Sequence, residues 1–376
     1  MKDRLLHTPD GVRDIYGVSC ERKLYLRDAL MKVIKGYGYG SIETPSFEFF
    51  DIFGSDIGTV PSKDLYKFFD RDGNTLVLRP DITPSVARCC AKYYSDADLP
   101  LRLCYCGNTY VNKNEYRGSL KESTQIGAEL MGDGSVYADA EIIALTCESF
   151  LASGLTEFQI AVGNSQFFEA ICEGTDITGE DRAAVRDLIC RKNYFAAGEY
   201  LKSIYAPEKI FNILGVLSGF IGGKEALDKA RNSVKDIDKA VEAIERLNDL
   251  YDILGHYGYD KYVSFDLGLL NPHDYYTGVI FDGYAYGSGR TIAKGGRYDN
   301  LVSHFGKDMP AVGCVIELDE LLLCLERSDA DIDASTEIIT VTYSDKEEYL
   351  KALAKAQSMR KEGKRVCLCD SAGGGD

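Results

Sequence analysis

The sequence predicts an α+β fold in which strands and helices occupy separate stretches of the chain. Strand-like runs adjoin polar and glycine-rich turns before residue 162 and again after residue 260, and the stretch between them has helical periodicity. A single β-α-β pattern follows near the C-terminus. The expected organisation is a core at 1–327 with a helical insertion at about 163–258, a linker at 328–336, and a partial α/β unit at 337–376.

Length and composition are typical of a soluble globular protein. A chain of 376 residues suits one large domain with an insertion and a small appendage. Apolar residues make up 45% of the chain and charged residues 27%, which are ordinary fractions. No run of about 18 apolar residues occurs, and the N-terminus has no apolar signal segment. We therefore expect no membrane span and a cytoplasmic location.

Cysteine spacing and net charge argue against two kinds of site. The 12 cysteines include no CxxC pair and the four histidines lie far apart, so we expect free thiols and no structural metal. The formal charge of −16 disfavours a phosphate backbone, because that binding depends on lysine and arginine displacing counterions. We therefore expect no nucleic-acid partner.

The N-terminal elements are an amphipathic helix and a strand interrupted by proline. The helix is indicated by apolar residues at helical spacing: Leu26, Leu30, Val33 and Tyr37. Gly38 and Gly40 follow as helix-ending residues. The strand-like segment Ile42–Glu48 contains Pro45.

A strand, a polar turn and a helix are predicted in residues 76–88. Asp81 and Thr83 lie in the turn, and an anion beside a short hydroxyl is suited to binding an ammonium group. The alternative is that Thr83 only caps the next helix, with Pro84 in its first turn. The residues alone leave both interpretations open.

Two strands flanking a polar loop are predicted in residues 101–129. Gln125 and Glu129 are four residues apart, and side chains at even spacing in a strand point to the same face. We therefore expect both side chains to face one pocket. A helix near 138–151 and a strand at 155–162 follow.

The stretch after residue 260 combines strands with a polar aromatic pair. A strand at 261–267 is expected first, and Tyr275 and Tyr276 then precede a strand at Thr277–Phe281. Ala293–Asp299 is expected to be a glycine-punctuated turn where backbone approaches a ligand closely. Beyond Pro310–Val315, an amphipathic helix is indicated by Leu318, Leu321, Leu322 and Leu325.

Short motifs within these elements resemble a known family. DGVRD, RPDITP, DYYTG and GGRYD occur in this order and are followed by PAVG and the amphipathic helix. This order resembles class II histidyl-tRNA synthetases and their non-catalytic paralogues, the regulatory subunits of ATP phosphoribosyltransferase. Asp81 stands where synthetases usually carry glutamate, and the RPDxTP form is similar to that of the regulatory subunits.

The resemblance implies a particular architecture. It implies a class II aminoacyl-tRNA synthetase-like core with a mixed, mainly antiparallel sheet flanked by helices, centred on a six-stranded antiparallel platform. It also implies a dimer formed through the segment 42–48 and a truncated C-terminal α/β unit, because synthetases carry a domain of roughly twice that size there.

Three positions depart from the synthetase pattern. Val111, Asn271 and Glu320 stand where the resemblance places arginines, which in synthetases hold nucleotide phosphate or act beside it. Losing one pre-organised electrostatic group lowers a rate by roughly a hundred- to a thousand-fold. We therefore expect no catalytic residues for amino-acid activation and no cofactor.

The resemblance also implies a histidine-binding pocket. Its residues are Asp81, Thr83, Gln125, Glu129, Tyr275, Tyr276 and Tyr298. The first three would contact the α-ammonium group, Glu129 and Tyr276 would hydrogen-bond the imidazole, and the other tyrosines would line the pocket. Asn271 leaves the ligand carboxylate without a guanidinium partner, which is expected to weaken binding by about 1.5–3 kcal/mol.

The function implied by the resemblance is regulation. The chain would be a histidine-sensing subunit that assembles, as a dimer within a hetero-oligomer, with a short-form catalytic ATP phosphoribosyltransferase subunit in the first step of L-histidine biosynthesis. An active histidyl-tRNA synthetase and a free-standing amino-acid sensor are the alternatives.

Overall fold

The computed structural model describes residues 6–54, 60–94, 97–113, 120–217, 221–271, 275–328 and 338–371. The described residues form two compact units. The larger contains residues 23–328 and the described residues before 15, and the smaller contains residues 15–22 and 338–371. Apart from residue 328, the predicted linker lies outside the described residues, and the predicted domain boundaries stay a prediction.

The described residues contain 14 strands, and nine of them form one sheet at the centre of the larger unit. The strands are β1 (Gly40–Ser41), β2 (Phe47–Phe49), β3 (Lys67–Phe69), β4 (Thr75–Leu78), β5 (Leu101–Tyr110), β6 (Glu122–Met131), β7 (Phe158–Asn164), β8 (Ile221–Gly222), β9 (Val263–Asp266), β10 (Val279–Ala285), β11 (Ala293–Arg297), β12 (Ala311–Glu317), β13 (Ile339–Tyr343) and β14 (Val366–Asp370). The order across the large sheet is β1-β5-β6-β12-β11-β10-β7-β9-β8.

The sheet is mixed and mainly antiparallel, as predicted. All neighbours from β5 through β7 are antiparallel, so six consecutive strands form an antiparallel platform. Parallel pairing occurs between β1 and β5 and between β7 and β9. The predicted α+β class and the synthetase-like core are confirmed.

Helices occur in both units. They are α1 (Gly17–Gly36), α2 (Thr83–Tyr93), α3 (Val136–Ala152), α4 (Ser165–Glu173), α5 (Gly179–Cys190), α6 (Tyr194–Ser203), α7 (Glu208–Leu217), α8 (Lys224–Ser233), α9 (Asp238–Tyr257), α10 (Leu318–Arg327) and α11 (Lys346–Lys361). Polar caps define four of the starts, because Ser135, Asn164, Asn193 and Asp345 accept hydrogen bonds from amides in the first turns of α3, α4, α6 and α11. Of the helices in the described residues, none is long and apolar enough to cross a membrane.

The stretch between β7 and β9 is helical, as its periodicity predicts, apart from β8. Helices α4 to α9 occupy it, and β8 pairs with β9 at the sheet edge. A strand of two residues has no detectable alternation, so the sequence indicated only helix there.

Helix α1 is shorter at its C-terminus than its apolar pattern predicts. Leu26, Leu30 and Ile34 are its buried residues, and the helix ends at Gly36. Tyr37, which is predicted to be part of this helix, follows its last residue. Its hydroxyl instead donates a hydrogen bond to Glu148 Oε2 at 2.6 Å.

The predicted glycine-punctuated turn at Ala293–Asp299 is wrong, because residues 293–297 form the central strand β11. Its glycines are required by packing between strands. A Cβ atom on Gly295 would overlap the ring of Phe281 on β10, and one on Gly296 would lie within 2.9 Å of the Tyr276 ring. Glycine therefore lets neighbouring aromatic rings lie over the strand.

The smaller unit contains the predicted β-α-β elements. Strands β13 and β14 are parallel, with Ile339 opposite Val366, and α11 connects them. Parallel strands need such a crossover, so the order of elements determines the pairing.

A buried ion-pair cluster joins α3, α9 and the end of β11. The carboxylate of Asp139 accepts hydrogen bonds from Arg297 Nε at 2.9 Å and from Arg246 Nε at 2.8 Å. Asp139 is fully buried and the Arg297 side chain is 4% exposed. The Arg297 side chain is thus anchored to α3, and this anchor holds the backbone of the next residue, Tyr298, in place.

Replacing Asp139 with asparagine is expected to lower the free energy of unfolding by about 3–5 kcal/mol, because two partly or fully buried guanidinium groups lose their counter-charge. Glu245→Gln is the matched control, since it breaks an exposed pair with Arg231 and is expected to cost less than about 1 kcal/mol. Urea denaturation measures both changes. Equal losses in the two variants would contradict a structural role for the cluster.

Candidate functional site

A cavity of about 210 Å³ opens over β6, β11 and β12. All seven predicted site residues line it: Asp81, Thr83, Gln125, Glu129, Tyr275, Tyr276 and Tyr298. The volume is below the 300–1,000 Å³ of sites for drug-sized molecules and suits a ligand as small as an amino acid. Asn271 and Glu317 also line the cavity.

Strand register places the polar side chains on one face of the sheet. Glu129 on β6 lies opposite Gly313 on β12, and Gln125 lies opposite Glu317. Since alternate residues of a strand point the same way, all three polar side chains face the cavity. The prediction that Gln125 and Glu129 share one pocket is confirmed.

Glu129 is the most heavily hydrogen-bonded group in the cavity. Its Oε1 atom accepts from the Thr83 hydroxyl at 2.8 Å and from the Tyr105 hydroxyl at 3.1 Å, and its Oε2 atom accepts from the Tyr298 hydroxyl. Burial raises the pKa of Glu129 to about 7, although these three donors act in the opposite direction. This carboxyl group can therefore change protonation state near neutral pH.

Two glycines make room for these groups. A Cβ atom on Gly313 would overlap the Glu129 carboxylate, and one on Gly127 would overlap the phenol of Tyr105. Gly313 therefore belongs to the floor of the cavity, where backbone replaces side chain, and Gly127 leaves room for the Tyr105 phenol that donates to Glu129.

Gln125 presents an unsatisfied acceptor. Its Nε2 atom donates to Glu317 Oε1 at 2.8 Å, and its Oε1 atom is buried with no hydrogen-bond partner in the described part of the chain. Buried polar atoms nearly always have a partner, so this atom requires a donor from a ligand or water.

Glu317 is a functional candidate that sequence reasoning missed. It orients Gln125, and burial raises its own pKa. The available signal was an acidic residue at the end of the otherwise apolar run Ala311–Ile316. That signal is weak, because an acidic residue just before a helix is common on electrostatic grounds alone.

Asp81 and Thr83 act differently at the start of α2. Asp81 Oδ1 accepts a hydrogen bond from the Thr83 amide at 3.1 Å. The alternative that Thr83 caps α2 is wrong, because Thr83 is the first residue of the helix and its hydroxyl donates to Glu129. Pro84 does lie in the first turn, as that alternative predicted.

The three tyrosines form one aromatic wall. The rings of Tyr275 and Tyr298 are stacked with centroids 5.5 Å apart, and Tyr276 meets Tyr275 edge to face at 5.0 Å. Burial raises the pKa of all three phenols, so they remain neutral hydrogen-bonding groups. Asp274 of the DYYTG motif lies outside the described residues.

A second cavity of about 450 Å³ adjoins the first and shares Lys294 and Glu317 with it. Val111 and Glu320, which stand at two positions where the resemblance places arginines, line it. Glu320 lies 3.6 Å from Arg290. At these two positions the second cavity has an apolar and an acidic side chain, and Lys113, Arg290 and Lys294 also line it.

Asp319 lines the second cavity and forms ion pairs with two cationic side chains. It pairs with Lys23 at 2.8 Å and with Arg13 at 3.3 Å, and it also accepts from the Thr124 amide. Its side chain is 4% exposed, so its two cations are drawn toward a buried acid.

Within the described ranges, no group of three or more histidine, cysteine or acidic residues could hold a metal ion.

Comparison with known proteins identifies the class of protein to which this chain belongs. A family model described as histidyl-tRNA synthetase matches residues 11–321. An ATP phosphoribosyltransferase regulatory subunit/histidyl-tRNA synthetase from Bacillus halodurans superposes with a TM-score of 0.88 at 32% identity, over 99% of this chain and 94% of that one. A histidyl-tRNA synthetase from Nostoc sp. PCC 7120 superposes at 0.80 with 20% identity, over 97% and 86% of the two chains, and so shows the fold alone. The class is that of histidyl-tRNA synthetase-like proteins.

Relatives in sequence narrow the class to one family. A protein of Acetivibrio thermocellus named ATP phosphoribosyltransferase regulatory subunit is 35% identical over 367 residues, covering 97% of this chain and 87% of the relative. A protein of the same name from Clostridium novyi is 39% identical over 322 residues, covering 85% and 76%. The chain belongs to the family of ATP phosphoribosyltransferase regulatory subunits.

Replacing Glu129 with glutamine is expected to remove a pH dependence of stability. The pKa of Glu129 is raised from 4.5 to about 7 in the folded state, so the unfolded chain loses this proton first and the wild type loses stability as pH rises through that interval. Glutamine has no such proton. The variant should gain about 2–3 kcal/mol relative to wild type between pH 4.5 and 7.5, as measured by urea titrations. A difference that stays constant with pH would contradict the raised pKa.

Proposed function

We propose that this chain is a non-catalytic, histidine-sensing subunit that assembles with a short-form catalytic ATP phosphoribosyltransferase subunit in the first step of L-histidine biosynthesis. The observation that carries the proposal is the contrast between the two adjoining cavities. The smaller is lined by all seven residues expected for histidine binding, and the larger has Val111 and Glu320 where activation chemistry requires arginine. The names of the relatives support the regulatory role.

Histidine suits the hydrogen-bonding groups of the smaller cavity. Gln125 Oε1 needs a donor, and an α-ammonium group beside Asp81 supplies one. A carboxylate has about four acceptor positions, and three of those on Glu129 are occupied by hydroxyl donors. The remaining position suits the N–H of an imidazole. Thr83 then acts indirectly, because its hydroxyl hydrogen is already committed to Glu129.

The absence of activation chemistry follows from charge. Transfer of an adenylate group depends on cations placed against the phosphates. In the second cavity Arg290 lies beside Glu320, and Asp319 attracts Lys23 and Arg13. Acidic residues therefore compete with any phosphate for the cations nearby.

An exposed aromatic surface supports self-association. Strands β2, β4 and β3 form a small antiparallel sheet. Phe47, Phe49 and Phe68 are 37–55% exposed on one face of it, and the rings of Phe47 and Phe68 meet edge to face at 5.8 Å. Clustered exposed apolar groups usually mark contact with another protein. We assign this surface to the dimer contact expected for the segment 42–48.

Regulation by histidine requires only differential binding. If histidine binds more tightly to one arrangement of the hetero-oligomer, it shifts the population toward that arrangement and changes the activity of the catalytic partner. A cavity bounded by α2, the sheet and the segment before β10 joins separate parts of the chain, so an occupied cavity favours one relative placement of these parts.

Replacing Gln125 with methionine is expected to weaken histidine binding about ten- to a hundred-fold, because the acceptor of the α-ammonium group is lost while the side-chain volume is kept. Isothermal titration of L-histidine into the full chain measures the change. Gln357→Met, the same substitution at an exposed position of α11, is the control. Equal affinities of the Gln125 variant and the wild type would contradict the pocket.

Mixing the chain with a short-form catalytic subunit is expected to give a stable complex with higher phosphoribosyltransferase activity than the catalytic subunit alone, and histidine should inhibit it. Size-exclusion chromatography and an activity assay measure the two effects. Complexes with the Gln125→Met variant should need about tenfold more histidine for the same inhibition.

Two outcomes would contradict this assignment in different ways. Histidine-dependent exchange of pyrophosphate with ATP by the isolated chain would favour an active synthetase. Histidine binding without any complex formation would favour a free-standing sensor.

A further inference from the structure

Lys294 is the one cationic side chain among the described residues that line the smaller cavity, the one of about 210 Å³. On β11 it lies opposite Val315 of β12 and opposite Asp282 of β10. Val315 and Glu317 are on the same face of β12, so Lys294 shares the sheet face of the cavity polar groups. The side chain is exposed and has no ion-pair partner within 4 Å in the described ranges.

The ligand of this cavity needs a partner for its negative end. An amino acid carries a carboxylate as well as an ammonium group, and Asp81, Glu129 and Glu317 repel a carboxylate. Asn271, at the position of a synthetase arginine, is neutral. A cation at the cavity wall is therefore required if a whole amino acid, rather than an amine, is to bind.

Other nearby cations are already paired. Arg182 and Arg186 line a cavity on the far side of Asn271 and Tyr276, and both pair with Glu169. Arg290 faces Glu320 in the second cavity. These groups therefore have acidic partners that a ligand carboxylate would have to displace.

We propose that Lys294 binds the ligand carboxylate and thereby makes the cavity selective for a free amino acid over the corresponding amine or alcohol. This inference rests on the proposed histidine site and adds the residue that recognises the acid group. The flexible four-carbon stem and compact ammonium group of lysine allow it to reach a ligand from the rim of the sheet. Lys294 thus supplies the positive charge for the ligand carboxylate that the neutral Asn271 does not provide.

The selectivity has a direct test with two ligands. L-Histidinol keeps the ammonium group and imidazole of L-histidine and replaces only the carboxylate. Isothermal titration of both into the wild-type chain is expected to show at least tenfold tighter binding of histidine. Lys294→Gln should weaken histidine binding at least tenfold and leave histidinol within about twofold. Lys294→Arg should restore part of the preference.

Lys113→Gln is the matched control, because Lys113 lines only the second cavity. It should leave both affinities within about twofold of wild type. A Lys294→Gln variant that weakens both ligands equally, or neither, overturns the carboxylate assignment while leaving the histidine site in place. Wild-type protein that binds neither ligand overturns the proposed function and this assignment together.

Discussion

The burial of the Glu129 carboxylate is the constraint on which the rest of the site depends. An ionised carboxylate is costly to remove from water unless hydrogen bonds replace the lost hydration. Three hydroxyls do this, and they come from α2, from β5 and from the residue after β11. Each of these elements must therefore keep its place for the carboxylate to remain satisfied, and glycine at positions 127 and 313 follows from the same crowding.

The raised pKa of Glu129 gives this arrangement a chemical consequence. A group with a pKa of about 7 can be charged or neutral under ordinary conditions, and a ligand with an imidazole titrates in the same range. On the proposed function, burial of the Glu129 carboxylate lowers the stability of the ligand-free protein. A hydrogen bond from the ligand to the remaining acceptor position of this carboxylate offsets part of that loss.

The two adjoining cavities differ in the charged residues that line them. They share Lys294 and Glu317, but the acidic residues of the two cavities have different partners. In the smaller cavity, acidic groups are oriented by hydroxyls and by Gln125. In the larger, acids such as Asp319 hold cations that would otherwise be available to phosphate. On the proposed function, a synthetase-like scaffold loses nucleotide chemistry through changes at Val111 and Glu320 in the second cavity and at Asn271 in the first.

Much of the fold and the site could be predicted from local sequence patterns. The even spacing of Gln125 and Glu129 determines a shared face on any strand, and the long apolar periodicities define the helices. The same patterns misassigned β11, because glycine favours turns unless neighbouring strands cover it. They also missed Glu317, whose significance depends on its position opposite Gln125.

By itself the sequence determined the type and order of the main elements and which side chains within one strand point together, because these depend on residues close in the chain. Only the tertiary structure decided which hydroxyls meet Glu129, since Thr83 and Tyr298 are 46 and 169 residues away. It also decided that β11 lies between β10 and β12, with Lys294 at the cavity wall. Register between distant strands is set by packing over the whole sheet, which no local pattern contains.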